Sequence, residues 1–323
     1  MTNLEQRQPF GSADFFEYHK NFRQQGLPQL KDNLLKPTND SDDRRRLSYH
    51  IANDTYELLS LNYTAGEPIA PLRDQLEEVV AAYERYTVYL RAYEGEPTWA
   101  PISFDMYDEY LRCMQLIGLC YLLHRRDLLP RIAAMQDPNY RGHDIFYEDF
   151  LDCGMEGRSE PDTSYWAGEY DDIYQAMYAE TEAEKITLIK DFVQDWYPQC
   201  KNISPWHDGH LDIRGTEGYY FGYWAFEAGA IAYLLDIDDS SIDHMVYPKA
   251  LVQWARENQH LATEPAPLPI HARVEAGMPC PHDGYYFTPA KSDSRKLFKR
   301  GELMPEIGNE GWATIWQWDM NQE

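Results

Sequence analysis

Apolar residues recur at the spacing of an α-helix through most of the first 260 positions, and this periodicity limits the possible folds more than any other feature. One stripe runs from Leu72 to Leu90, and another runs from Leu47 to Leu59 behind Ser41, a residue type that suits a helix N-cap. Apolar residues cover nearly the whole helical circumference between 104 and 124, as in a central, buried helix, and an apolar block follows at 219–235. The pattern predicts a mainly α fold, a multi-helix bundle.

The pattern changes after a proline-rich stretch at 263–269. Helical periodicity disappears, and short pieces that favour β-structure, such as 284–288 and 312–318, take its place. We therefore expect three parts: an N-terminal helical region (1–142), a C-terminal helical region (143–262) and a small strand-containing C-terminal appendage (263–323).

The charge of the chain argues against two classes of partner. Asp and Glu number 54 against 29 Lys and Arg, which gives a formal net charge of -25. Nucleic acids and anionic membranes are bound by basic faces, so we expect neither as a partner, whereas a basic protein would complement this charge. Since no apolar run approaches the roughly 20 residues that span a bilayer and no signal peptide is visible, we expect a cytoplasmic protein.

The negative charge is concentrated in the middle of the chain. Residues 140–243 contain 23 acids and 6 bases, whereas residues 1–139 contain 21 and 15. Within this region, residues 144–184, here called the acidic segment, hold thirteen acids and one base, Arg158, interleaved with tyrosine and tryptophan. Acids steer a basic partner and aromatic residues supply much of the binding energy, so we expect the partner to bind here and on the loop near 210. The predicted contact residues are Glu148, Asp149, Asp152, Glu169, Tyr170, Asp171, Asp172, Asp208, Asp212 and Glu217.

Motifs for catalysis or cofactor binding are missing from the sequence. It contains no GxGxxG, GxxxxGK[ST], GxSxG or HExxH, and we therefore expect no cofactor and no enzymatic activity. One alternative stays open, because abundant carboxylates and aromatic residues in a helical toroid would also suit a carbohydrate-active hydrolase that uses paired carboxylates.

A short cluster offers one candidate metal site. His207, His210 and Asp212 could on paper hold zinc or another transition metal. The HxxH spacing in a glycine-containing loop fits neither a helical zinc site nor a Cys/His finger. We favour a loop whose histidines cap or hydrogen-bond, and we predict no metal.

Glu227 stands alone in an otherwise uncharged block. A buried carboxylate is costly unless it is paired, and such a group could be a general base with a raised pKa. We favour a structural role, as half of an internal ion pair with Arg214 or with an arginine of the helix that begins near Ser41. Glu227→Gln is then expected to destabilise the fold.

Three stretches in order resemble one known family: WHDGHLD at 206–212, GYYFGYWAFEAGAIAYLLDIDDSSI at 218–242 and YPKALVQWAR at 247–256. They resemble the PoNi family, immunity proteins to PoNe-type DNase toxins that are associated with type VI secretion and interbacterial competition. The resemblance implies a helical, cytoplasmic, non-enzymatic protein that binds a toxin nuclease domain and blocks its active or DNA-binding surface. Association into a homodimer is left open. It also implies a fold-defining core made of Tyr223, Trp224, Phe226 and Glu227.

Overall fold

A computed structural model describes residues 6–201, 203, 206–262, 273–280, 283–288, 291, 294–307 and 314–318. The chain forms two compact units, Met1–Pro265 and Ala266–Glu323, here called the helical unit and the C-terminal unit. None of the helices in the described part of the chain is both long enough and apolar enough to cross a bilayer.

The helical unit contains ten α-helices within its described residues, so the predicted multi-helix fold is confirmed. Short 3₁₀ turns, the longest being Gly209–Asp212, lie in the connections between them. The helices are α1 (Ala13–Leu34), α2 (Ser41–Thr64), α3 (Leu72–Glu94), α4 (Tyr107–Leu122), α5 (Leu129–Tyr140), α6 (Ile145–Asp152), α7 (Ala167–Tyr178), α8 (Glu182–Gln199), α9 (Phe226–Leu234) and α10 (Lys249–Glu257).

Polar side chains define several helix starts. Asp40, one residue before the predicted Ser41, caps α2 by accepting a 2.8 Å hydrogen bond from the backbone N–H of Asp43. Asp144 caps α6 in the same way through Tyr147, also at 2.8 Å. The N-cap prediction at Ser41 was therefore wrong by one position, because Asp40 is the residue with extended backbone geometry.

The predicted central helix is α4. Every side chain from Tyr110 to Leu122 is buried, and the apolar residues of α4 belong to one core cluster with residues from Phe15 to Ala255. A Cβ atom added at Gly118 would lie 2.9 Å from the backbone oxygen of Phe226. Glycine therefore allows the backbone of α4 to approach the first turn of α9. This core contains residues from both predicted helical regions, and the boundary at 142/143 stays a prediction.

The apolar block at 219–235 is only partly helical, in contrast to the prediction. Residues 219–225 run as a non-helical, mostly buried segment, here called the threaded segment, and α9 begins at Phe226. Gly222 has φ +118, and a Cβ there would lie 2.2 Å from Thr64 Oγ1. Hydrophobicity alone does not distinguish a buried helix from a buried extended segment, which explains the error.

The backbone of the threaded segment is satisfied by side chains from distant elements. Phe221 O accepts hydrogen bonds from Ser60 Oγ at 3.0 Å and Thr64 Oγ1 at 2.8 Å. The side-chain amides of two glutamines bind two further carbonyl groups: Gln115 Nε2 donates to Trp224 O at 2.8 Å, and Gln8 Nε2 donates to Tyr223 O at 2.6 Å.

The C-terminal unit contains the strands predicted near 284 and 315. Its sheet has the order β1 (Arg273–Glu275), β4 (Ile315–Trp318), β2 (Gly284–Phe287) and β3 (Lys296–Phe298), with every pair antiparallel. A separate small core lies on this sheet, formed by Val274, Cys280, Tyr286, Phe298, Met304 and Trp316. The prediction of a small strand-containing C-terminal appendage is confirmed, although residues 312 and 313 of the second predicted piece lie outside the described residues.

The structure gives Glu227 a partner other than the predicted ion pair. Its fully buried carboxyl group accepts a 2.9 Å hydrogen bond from Trp196 Nε1, and no Lys or Arg among the described residues pairs with it. Arg214 instead donates to the carbonyl oxygens of Leu211 and Ile213. Burial raises the pKa of Glu227 to about 8, so the carboxyl group is mostly neutral at pH 7. The ion-pair prediction was wrong because the group that binds this carboxyl is an indole N–H and not a cation.

Glu227→Gln is expected to remove a pH dependence of stability. Because the pKa of Glu227 is about 8 in the folded protein and the ordinary value for a glutamate is 4.5, the folded wild-type protein binds more protons than the unfolded chain between these values. Its free energy of unfolding should fall as the pH rises through this window, by on the order of 1 kcal/mol per pH unit from this group. The difference between wild type and variant in urea denaturation at pH 5, 6.5 and 8 measures this contribution.

Trp196→Phe provides the control, because it removes the indole donor and keeps the carboxyl group. That variant should be destabilised at all three pH values and retain the slope. An identical pH dependence in wild type and Glu227→Gln would contradict the neutral buried carboxyl group.

Candidate partner-binding surface

The acidic segment contains two complete helices of the helical unit. It comprises α6, the connection 153–166 and α7, and it ends where α8 begins. α7 packs against α8, and the apolar side of each helix is buried, through Ile173 on α7 and Phe192 on α8. This packing turns the polar sides of these helices toward solvent.

Two predicted contact residues, Glu148 and Tyr170, are buried, and the prediction was wrong for both. Tyr170 is 1% exposed and Glu148 is 0% exposed. The Glu148 carboxylate accepts hydrogen bonds from Arg158 Nε at 2.8 Å, Ser159 N at 3.0 Å and Gly142 N at 2.6 Å. It therefore holds the connection 153–166 onto α6. Charge density along a sequence does not distinguish such a carboxylate from an exposed one.

Arg158, the one base of the acidic segment, does not neutralise its surface. The guanidinium also donates to Asp137 at 2.7 and 2.8 Å, and its side chain is 3% exposed. Two carboxylates thus compensate one internal cation. Apart from Glu148 and the buried Asp144, the acids of the segment are partly or fully exposed.

A groove lies between α6, the connection 153–166 and α7. It has a volume of about 450 Å³ and is lined by Asp149, Asp152, Glu160, Tyr174 and Tyr178 among others. The Tyr178 hydroxyl donates to Asp149 Oδ2 at 2.6 Å. Burial, together with the charges of Asp152 and other nearby acids, raises the pKa of Asp149. The groove combines carboxylates with two tyrosine rings, as a site for basic side chains requires.

A second group of carboxylates crosses from α7 to α8. Burial and repulsion from Asp191, Asp195 and Asp171 raise the pKa of Asp172. Asp191 and Asp195 lie beyond the predicted contact set, although their i, i+4 spacing indicates that they share one face of a helix. The acidic surface therefore extends further along the chain than the acidic segment.

The other predicted contact residues divide between helix and loop. Glu169 is half-buried in the first turn of α7. Asp208, Asp212 and Glu217 are exposed in the loop before the threaded segment. Asp208 Oδ1 accepts a 2.8 Å hydrogen bond from the Tyr197 hydroxyl, which attaches the loop to α8. The predicted contact role of all exposed members stays a prediction.

The two histidines of the same loop make structural contacts. His207 stacks on the Tyr197 ring with centroids 4.3 Å apart, and His210 Nδ1 lies 2.9 Å from the Tyr223 hydroxyl. Among the residues that the structure describes, no three His, Cys, Asp or Glu side chains form a set that could hold a metal ion.

The residues that the resemblance places in a fold-defining core are all buried. Tyr223, Trp224, Phe226 and Glu227 lie in the main core cluster or within it at the start of α9. Trp224 Nε1 donates to Thr64 Oγ1 at 2.8 Å, so this core connects α2 to the threaded segment.

A group of exposed aromatic side chains was not predicted from the sequence. Tyr18 and Phe22 of α1 and Tyr219 of the threaded segment are large aromatic side chains exposed to solvent. The i, i+4 spacing of the first two on an otherwise polar stripe of α1 was the available indication. Their proximity to Tyr219 depends on the fold.

Arg158→Met is expected to lower the free energy of unfolding by about 3–5 kcal/mol, because it leaves the buried Glu148 carboxylate without its cation. Urea denaturation at pH 7 measures the loss. Lys190→Met on the exposed side of α8 is the matched control and should change stability by no more than about 0.5 kcal/mol. Equally small changes in both variants would contradict the buried ion pair and would indicate that Glu148 is exposed at the surface.

Two comparisons with known proteins give matches. Residues 142–251 match the family described as PoNe immunity proteins (PoNi), C-terminal, so the resemblance seen at 206–256 is confirmed for this part of the chain. The matched range contains every predicted contact residue and the four predicted core residues. A comparison with curated proteins gives no match.

A solved structure shares the fold. "The Crystal Structure of Protein PA2201 from Pseudomonas aeruginosa" aligns with a TM-score of 0.61 and 19% sequence identity, over 80% of this chain and 93% of that chain. At this identity the likeness is one of fold.

Proposed function

We propose that this protein is an immunity protein that binds a cognate PoNe-type nuclease toxin and blocks it without catalysing a reaction. The match of residues 142–251 to PoNe immunity proteins supports an immunity role. The structural observation that carries the proposed mode of binding is the surface of solvent-facing carboxylates on α6, α7 and α8, which lies within the matched range.

The charge of this surface complements a nuclease. An enzyme that holds DNA presents Lys and Arg to the phosphates, so a dense set of carboxylates can occupy the same surface in place of DNA. Long-range attraction between the two surfaces speeds encounter. Tyr174 and Tyr178 in the groove supply aromatic area that is desolvated on binding and holds the complex together.

The proposed place of action follows from the target. Chromosomal DNA is the substrate of a DNase toxin, and we propose that the protein acts in the cytoplasm, where it would meet the toxin before the DNA does. Neither a cofactor nor nucleic acid takes part in the proposed mode of action.

The direct test uses the nuclease domain encoded beside this protein's gene. Purified protein is expected to form a complex with that domain in calorimetry and to suppress its cleavage of plasmid DNA. Co-expression should also restore growth of cells that produce the toxin. If no complex forms at micromolar concentrations of both proteins, the proposed immunity function is wrong.

A triple neutralisation of Asp171, Asp191 and Asp195 to Asn is expected to slow complex formation. At low salt the association rate constant should fall about fivefold to tenfold, and the difference should shrink as salt rises, because exposed charges act through a screened field. Stopped-flow fluorescence at several salt concentrations measures both effects.

The matched control combines Asp32→Asn, Glu78→Gln and Glu94→Gln, three exposed acids on α1 and α3. It removes the same number of charges, so a general effect of net charge would slow both variants equally. That outcome would place the steering surface elsewhere on the protein.

A further inference from the structure

Three exposed aromatic side chains surround one pocket on the helical unit. Tyr18 and Phe22 lie one turn apart on α1, are 49% and 62% exposed, and stack with an interplanar angle of 17°. Tyr219, 43% exposed, reaches the same pocket from the threaded segment. Aromatic side chains gathered at the surface in this way contribute little to the core and are typical of a binding site.

The pocket has a volume of about 230 Å³, and both aromatic and charged side chains line it. It is lined by Tyr18, His19, Phe22, Arg23, Asp54 and Tyr219. The space is sufficient for one long side chain and too small for a helix or a strand, so any protein ligand would enter it with a single residue.

Asp54 is the group in this pocket that lacks a partner. It is half-buried, and its carboxylate makes no hydrogen bond or ion pair with any residue that the structure describes. Burial and the neighbouring Glu57 raise its pKa. A half-buried carboxylate without a partner is unfavourable, and a cation placed beside it would relieve this cost.

The cation nearest to Asp54 is already engaged. Arg23 Nη2 donates to Glu57 Oε2 at 2.5 Å, and the Tyr219 hydroxyl donates to the same carboxylate through its other oxygen. Burial and the charge of Arg23 lower the pKa of His19, which is therefore neutral at pH 7. Asp54 in the pocket lining and Glu57, the partner of Arg23, are two carboxylates against one guanidinium, which leaves an excess of one negative charge.

The geometry points to an arginine as the ligand: we propose that this pocket receives an arginine side chain of the partner protein, its guanidinium paired with Asp54 and packed on the aromatic rings. A planar guanidinium stacks on tyrosine and phenylalanine and pairs with a carboxylate through two parallel hydrogen bonds, whereas a lysine ammonium does neither as well. The proposal rests on the proposed function, because the toxin's nuclease domain is the protein that would supply the arginine.

The pocket extends the interface beyond the acidic surface. Five of its six lining residues come from α1 and α2, outside the matched range 142–251. The loop that carries Glu217 lies beside it, since His19 Nε2 is 3.1 Å from the Thr216 carbonyl oxygen. A partner that contacts this loop would therefore be placed to fill the pocket.

The first experiment compares the affinity of the toxin nuclease domain for four variants by calorimetry. Asp54→Asn and Tyr18→Ala are each expected to weaken binding about tenfold. The controls are Asp32→Asn on α1, which removes an exposed carboxylate, and Tyr93→Ala on α3, which removes a ring about as exposed as Tyr18. Both controls should leave the affinity within about twofold of wild type. Asp54→Asn removes an unpaired charge, so it should fold at least as well as wild type. Wild-type affinity in both pocket variants overturns the proposal.

The second experiment does not use the toxin. The peptide acetyl-Gly-Arg-Gly-amide is titrated to millimolar concentration while the NMR signals of the Tyr18, Phe22 and Tyr219 rings are observed. The chemical shifts of these rings should change when the arginine peptide is added. They should not change with the same peptide carrying citrulline in place of arginine, nor with the arginine peptide in the Asp54→Asn variant. If the arginine peptide causes no shift, the proposed arginine site is wrong. If the same peptide with lysine in place of arginine causes an equal shift, the proposed preference for guanidinium is wrong.

The two experiments separate the two proposals. If wild-type protein fails to bind the toxin while the arginine peptide shifts the ring signals, the proposed function fails and the arginine site stands without that partner. If the toxin binds wild type and all four variants alike, the immunity function stands and the pocket is not part of its interface.

Discussion

The fold depends on how the threaded segment, residues 219–225, satisfies its backbone. This segment is mostly buried and belongs to no helix, so its carbonyl and N–H groups have no regular ladder in which to pair. Side chains from α2, α4 and the N-terminal residues supply the hydrogen bonds, through Ser60, Thr64, Gln115 and Gln8. These contacts join the first half of the helical unit to the part that matches PoNe immunity proteins. They also place Tyr219 beside α1 at one end and Glu227 in the core at the other.

The same residue type serves two purposes in the acidic segment. Asp144 and Glu148 are buried and fully hydrogen-bonded, the first as the cap of α6 and the second as the anchor of Arg158. Among the less buried carboxylates, burial first and then repulsion from Asp191, Asp195 and Asp171 raise the pKa of Asp172. This repulsion is a cost in the free protein, and under the proposed function a basic partner would remove it. Solubility alone would not require carboxylates to be placed so close together.

The fold could be predicted from the sequence further than the site could. Helical periodicity located α3 and the buried α4, and the loss of that periodicity located the strands of the C-terminal unit. The non-helical course of 219–225 was missed, because an apolar run has the same composition in a buried helix and in a buried extended segment. At the site, Glu148 and Tyr170 were predicted as contacts and are buried, while Asp191 and Asp195 lay outside the predicted set. The elements that pack against a short helix decide which of its faces is buried, and the spacing of residues in one sequence does not identify those elements.

By itself the sequence determined the mainly helical class, the excess of negative charge and the likeness to an immunity family, because periodicity, composition and residue order are properties of the chain alone. Tertiary structure decided which carboxylates are internal and which face solvent. It paired Trp196 with Glu227 in place of an arginine, and it brought Tyr219 to Glu57 and Asp54 from more than 160 positions away. The physical reason is that desolvation and hydrogen bonding set the state of a carboxylate, and both depend on groups that only the folded chain brings near it.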